Sequence, residues 1–293
     1  MLGSALAPSR ARRGESGNSA LRPCWSARDA GRVALIQLTY AIRRVRTSHV
    51  WHDFERLEIG DEIIPMPYSL WVLDTPRGPV LIDSGFHTPD SYWVADADWR
   101  PVPEALASIG VDPRAVRALV LTHYHFDHAG HVGLFPNATV IASRVEHEHW
   151  LGVADESEAA LRAAFVWPEH LAAIVAAERD DRLLLVDGES DAPIEGLRLI
   201  AAPGHTPGQL AVLVATPSGP RLLASDAAHF FEQLERGWRF FAHSDAAAGD
   251  RSIARLQRIA ADTGAEIVPG HDARVSERYP AVPGSGGWAS ALG

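Results

Sequence analysis

The stretch Thr122-His123-Tyr124-His125-Phe126-Asp127-His128-Ala129-Gly130 decides how the rest of this chain is read. It gathers three histidines and a carboxylate within six residues, directly after the apolar run Ala118-Leu119-Val120-Leu121. A short apolar run that stops at a polar loop is a buried strand presenting side chains at its end. Neutral imidazole suits zinc and other first-row divalent metals, and a carboxylate beside it either joins the coordination or carries a proton. The stretch therefore predicts a metal site at a strand end.

Outward from it, the same pattern recurs. The segment 197–201 runs into Gly204-His205-Thr206-Pro207-Gly208, the segment 221–225 runs into Asp226, and Glu266-Ile267-Val268 opens onto Pro269-Gly270-His271-Asp272. Taken singly, Asp226 or His271 would be an ordinary polar loop residue; the histidine cluster is what makes each a ligand candidate. Seven donors are too many for one tetrahedral zinc and suit two. In His-x-His the two imidazoles project the same way from an extended segment, so His123 and His125 grip one ion, completed by His205. Asp127, His128 and His271 face a second ion, and Asp226 bridges both through its two oxygens. Asp83, ending the strand 79–83, is either a turn-former bonding its own backbone or a carboxylate steadying a ligand loop.

The remaining chain reads as α/β. Strands are expected at 33–40, 68–73 and 79–83 (a hairpin), 116–121, 139–142, 182–186, 197–201, 210–215, 221–224 and 266–268. Helices are expected at 101–109, 129–134 and 250–261, and across 145–177 with breaks near Gly152 and Pro168; a polar link spans 43–61. Residues 1–32, rich in Ser, Ala, Gly and Arg without apolar periodicity, read as a disordered extension before one domain over 33–293. At 46% hydrophobic and 22% charged, the chain can build a substantial core. No apolar run approaches the roughly 20 residues of a membrane span, so a membrane partner is not expected and the cytoplasm is the default location.

The formal charge of −10 is uneven: residues 1–32 hold six Arg against Glu15 and Asp29, a net of +4, leaving −14 for the body. An acidic body argues against nucleic acid as a partner. One cysteine, Cys24, excludes a disulfide framework and a thiolate cluster, so the ligands are N and O.

The motif Thr-His-Tyr-His-Phe-Asp-His-Ala-Gly resembles the signature of the metallo-β-lactamase fold superfamily, with Asp83, His205, Asp226 and His271 matching its other motifs in order. The resemblance implies an αββα sandwich with two zinc ions at the shared sheet edge, sharing a hydroxide that attacks an ester carbonyl. Within the superfamily, Pro65-Met66-Pro67-Tyr68, Asp83-Ser84-Gly85-Phe86 and Pro269-Gly270-His271-Asp272 are similar to the N-acyl homoserine lactonase group. That implies a small-molecule lactone or ester substrate, Asp127 as proton shuttle, quorum quenching as a role, and a homodimer; a glyoxalase II-like thioesterase on the same ligands is the alternative. One position departs from the group: where its members carry tyrosine three residues after the bridging aspartate, this chain has His229, which either donates to the substrate oxyanion in the tyrosine's place or only lines the pocket. A di-iron redox module is disfavoured, because that branch substitutes glutamate at the position of His125. Trp51, Phe54, Met66, Tyr68, Trp150, Phe165, Trp167, Phe230, Phe231, Trp238 and Phe240 are candidates for an acyl-chain pocket, with 154–177 as a cap.

Overall fold

The computed structural model describes residues 34–87, 93–152, 164–191 and 194–293. The expected extension at 1–32, Cys24 and the 154–163 part of the expected cap lie outside the described residues. In chain order the first sheet takes strands β1 (Ala34–Arg46), β2 (Ile63–Asp74), β3 (Val80–Ile82) and β4 (Asp98–Trp99). Helix α1 (Val102–Ser108) follows, then β5 (Ala118–Val120), the single turn α2 (Phe126–Ala129), β6 (Thr139–Ser143), α3 (Arg144–Leu151), α4 (Pro168–Arg179) and β7 (Leu183–Val186). The second sheet is built from β8 (Ser190–Asp191), β9 (Leu197–Ala201), β10 (Leu210–Val214) and β11 (Arg221–Ser225). Helices α5 (Phe231–Arg236) and α6 (Ala246–Thr263) lead to β12 (Glu266–Pro269), α7 (Arg274–Arg278) and β13 (Ala289–Ala291).

Among the described residues the first sheet runs β13-β1-β2-β3-β5-β6-β7 with β4 on β1, and the second runs β12-β11-β10-β9-β8. Alternation along the strands sorts the core into three layers. Leu210, Val212 and Val214 of β10 point at Trp71, Leu73, Ile82 and Val120 of the first sheet, forming the inter-sheet core. The intervening Ala211 and Leu213 pack outward under Leu256 and Ala260 of α6. On the far side of the first sheet, Leu119 and Leu121 meet the layer containing Leu106 of α1 and Ile174 of α4. Helix, sheet, sheet, helix is the expected αββα order.

The differences from the sequence reading are local. β1 runs on to Arg46, through the start of the expected polar link, because Val45 pairs with Ile64 and stays buried while Arg44 and Arg46 face out. Cross-strand pairing overrides the charge of that segment. Helix α6 begins at Ala246, four residues early, where the Asp245 carboxylate accepts from Ala248 N at 2.9 Å; Gly264, at φ 70°, ends it. The segment 129–134 contributes the end of α2 and a 3-10 turn, Val132–Leu134. Strand β13 has weak strand composition and is recruited by β1, whose Leu35 N donates to Gly293 O.

Topology places the chemistry. β3, β5 and β6 are parallel, as are β11 and β12, so Asp83, the histidine motif, Asp226 and His271 all emerge at C-terminal strand ends. Gly130 lets two of these loops touch: a Cβ there would lie 2.3 Å from Gly85 O and 2.7 Å from Phe86 Cα.

Candidate metal centre

Two loops contribute the first group of donors. His123 and His125 follow β5 with their rings 4.6 Å apart, and His205 follows β9 with its Nε2 2.8 Å from His125 Nδ1. Suitable nitrogens of all three lie within 4.8 Å of one another. The second group, Asp127, His128, Asp226 and His271, meets the same test. All seven side chains are buried. Asp226 stands between the groups: Oδ1 is 3.1 Å from His271 Nε2 and 3.3 Å from His128 Nε2, while Oδ2 is 3.3 Å from His205 Nε2 and 3.8 Å from His123 Nε2. All seven residues expected of the site thus lie together, as one group of three imidazoles and one group around Asp127, His128 and His271, with His229 joining His205 and Asp226 in a third, overlapping group.

Three of the rings are anchored on the nitrogen that faces away from the cluster. His128 Nδ1 sits 2.7 Å from Asp83 Oδ2, His205 Nδ1 donates to Ala242 O at 3.0 Å, and His271 Nδ1 donates to Pro67 O at 2.8 Å. A carbonyl can only accept, so in His205 and His271 the Nε2 lone pair is left facing inward. Buried Nε2 of His123 and of His128 has no hydrogen-bond partner in the protein. Orphaned imidazole nitrogens converging with carboxylate oxygens are what a divalent cation satisfies.

Asp83 resolves as the second of its alternatives, a carboxylate steadying a ligand loop rather than a turn-former bonding its own backbone. Its backbone is left-handed, φ 63°, and its carboxylate accepts from Thr122 N at 2.8 Å and holds His128. Ser225, beside Asp226, is left-handed as well, φ 47°. Such conformations cost on the order of 1–3 kcal/mol each and persist where a site requires them.

His229, one residue from the end of the loop after β11, is buried with Nε2 3.0 Å from Asp226 Oδ2 and its ring stacked 3.6 Å over Phe240. Of the aromatic candidates, Phe165 and Trp150 reach His125 at 5.2 and 5.8 Å, Tyr68 reaches His271 at 5.1 Å, and Phe240 reaches His229. Trp167 stacks on Phe126 of the motif, 5.1 Å away. Phe231 instead packs in the inter-sheet core beneath Arg278, and Trp51 and Trp238 pair with each other at 5.1 Å on a separate surface groove. Met66 lies in the core against the first sheet and Phe54 packs on that core's edge. The sequence reading missed Trp93, which stacks on Phe165 at 5.3 Å, and Phe241, which stacks on Trp93 at 6.1 Å; together they extend the wall beside His125. Neither carries a motif; only the fold brings them there.

Comparison with known proteins agrees with this geometry. A family model described as the metallo-beta-lactamase superfamily matches residues 63–271. An N-acyl homoserine lactonase AttM from Azorhizobium caulinodans is 33% identical over 77% of this chain and 88% of its own length. A second AttM lactonase, from Rhizobium johnstonii, is 30% identical over 76% and 88%. A solved quorum-quenching N-acyl homoserine lactone lactonase, 23% identical, superimposes with a TM-score of 0.67 over 85% of this chain and 96% of that one. With the matched model spanning both half-sites and the relatives aligned along most of their length, the chain belongs to the metallo-β-lactamase superfamily.

Proposed function

We propose that this protein is a two-metal hydrolase that opens the ring of N-acyl homoserine lactones, as its relatives' names describe for them. The observation that carries the reading is Asp226, whose two carboxylate oxygens face two separate groups of buried imidazoles. A purely structural zinc site closes four ligands around one ion, whereas two half-sites of three ligands plus a shared carboxylate leave positions open for water and substrate. His123, His125 and His205 would hold one ion and Asp127, His128 and His271 the other. A zinc pair bound there supplies hydroxide at neutral pH and a Lewis acid for the lactone carbonyl.

The chain's own groups do the rest. Asp127 Oδ2, 3.2 Å from His128 Nε2, is the carboxylate placed to carry a proton to the ring oxygen that leaves. His229 stands at the position of the group's tyrosine and steadies Asp226 Oδ2 through Nε2; as a neutral imidazole it has one N–H, which would have to turn from Asp226 to the developing oxyanion to take the tyrosine's part. Phe165, Trp93 and Phe241 offer apolar ring faces beside His125 to an acyl chain.

The reading is tested by supplying the zinc-loaded protein with an N-acyl homoserine lactone and, separately, an acyl-glutathione thioester. Preferential turnover of the lactone is expected; preferential turnover of the thioester would replace the lactonase by the glyoxalase II-like hydrolase.

A further inference from the structure

Ser143-Arg144-Val145-Glu146, at the start of α3, has the Ser-x-x-Glu pattern of a capping box, in which the glutamate returns to the backbone amide of the serine. Only half of that box forms: Ser143 Oγ accepts from Glu146 N at 3.5 Å. The Glu146 carboxylate turns the other way, into the protein, and has no exposed surface. Its Oε1 accepts from Tyr124 N at 3.0 Å and from Trp150 Nε1 at 2.6 Å, and its Oε2 accepts from Gly208 N at 3.0 Å. Tyr124 lies between His123 and His125, and Gly208 lies three residues after His205.

A buried carboxylate is costly unless its oxygens are met, and a helix cap needs no such burial. The glycine shows that the approach is built in. A Cβ at position 208 would fall 2.2 Å from Glu146 N and 2.5 Å from its Cα, so the His205 loop comes this close to α3 only with glycine there. Burial pushes the Glu146 carboxyl up from its ordinary value, and the Thr206 hydroxyl and the N–H donors around it pull in the opposite direction.

We infer that Glu146 is a positioning residue for the three-imidazole half-site, clamping the loop of His123 and His125 to the loop of His205. The inference rests on the proposed reading that these three rings hold a cation. It predicts selectivity, because the second half-site is steadied by other groups, Asp83 on His128 and Pro67 O on His271. Glu146 touches no substrate or reacting atom; it acts through the two loops.

The test is a Co²⁺ titration of the full-length, metal-stripped protein followed by visible absorbance. Wild type should take up two equivalents per chain. In E146Q, whose amide turns an NH₂ toward one of the two backbone N–H groups, one equivalent should weaken by about tenfold or more, the scale on which supporting hydrogen bonds tune metal ligands. The other equivalent should stay within about twofold, and E146D should fall between. Leu256→Ala, a cavity in the α6 layer, should lower the melting temperature and leave both equivalents unchanged. If E146Q fails to fold, Gly208→Ala, which keeps the carboxylate but blocks the approach, should give the same selective loss. Two equivalents in wild type, with E146Q unchanged or with both equivalents weakened alike, would overturn the role of Glu146 alone. No uptake of Co²⁺ by wild type would overturn the two-metal reading and this inference together.

Discussion

The two half-sites are built from opposite electrostatics, although Asp226 is common to both. His123, His125 and His205 form a trio that favours the neutral state: burial lowers all three from the ordinary imidazole value, His125 to about 3, and neighbouring imidazoles push the same way. Around His128 and His271 burial pulls the same way, but the carboxylates of Asp226 and Asp127, with Asp83 at His128, outweigh it and raise both imidazoles. The trio therefore favours neutral rings whose lone pairs are free for a cation, while the carboxylates of the second group favour protonation of its imidazoles, so a cation there competes with protons more strongly. On the proposed two-metal reading, the first pocket would offer neutral imidazole ligands and the second would balance a cation with carboxylate charge.

The largest effect should come from removing the residue the half-sites share. Asp226→Ala should release both metals and lower lactone hydrolysis by about 10³-fold or more, ~4 kcal/mol of transition-state stabilisation, measured by elemental analysis and pH-stat assay. Next come paired single removals. His205→Ala and His271→Ala should each leave one metal per chain, and loss of both metals from either would show that the half-sites are not separable. Asp83→Asn sharpens the contrast further, since Asp83 bonds the His128 ring directly and reaches the trio only through Thr122, whose Oγ1 lies 3.1 Å from His123 Nδ1. It should weaken one metal by about 10–100-fold and spare the other, as read by competition with a chelator.

The smallest effect is in the pH dependence, where the sign follows from the directions above. Raised imidazoles take up protons at a higher pH than an ordinary histidine, so on acidification the affinity of the carboxylate-rich half-site should fall before that of the trio. The neutral trio binds no competing proton until the pH approaches the His125 value of about 3. Metal release on acidification should thus come in two steps, monitored by calorimetry or by cobalt absorbance. A single step for both metals would break the comparison.

The amino-acid sequence made the trio and its partner group legible for one reason: their ligands follow apolar strands, and strand ends are visible as composition. The His-x-His spacing further divides the motif, because alternate residues of an extended segment share a side. What lay hidden depends on contacts between distant segments. Val45 is buried only because Ile64 pairs with it, so the charges around it concealed the far half of β1. Trp93 and Phe241 join the wall beside His125 from segments with no motif of their own. His229 stood out as an unusual residue, yet its engagement with Asp226 needed the turn after β11 to be seen. Phe231, an aromatic like any other in the sequence, is committed to the inter-sheet core instead.

The most direct test of the account is anomalous diffraction from crystals of the zinc-loaded protein, collected on both sides of the zinc edge. Two peaks are predicted, one enclosed by His123, His125 and His205 and one by Asp127, His128 and His271, with the Asp226 carboxylate between them. A single peak, or a second peak away from either group, would contradict the division of these seven residues into two cation-binding half-sites.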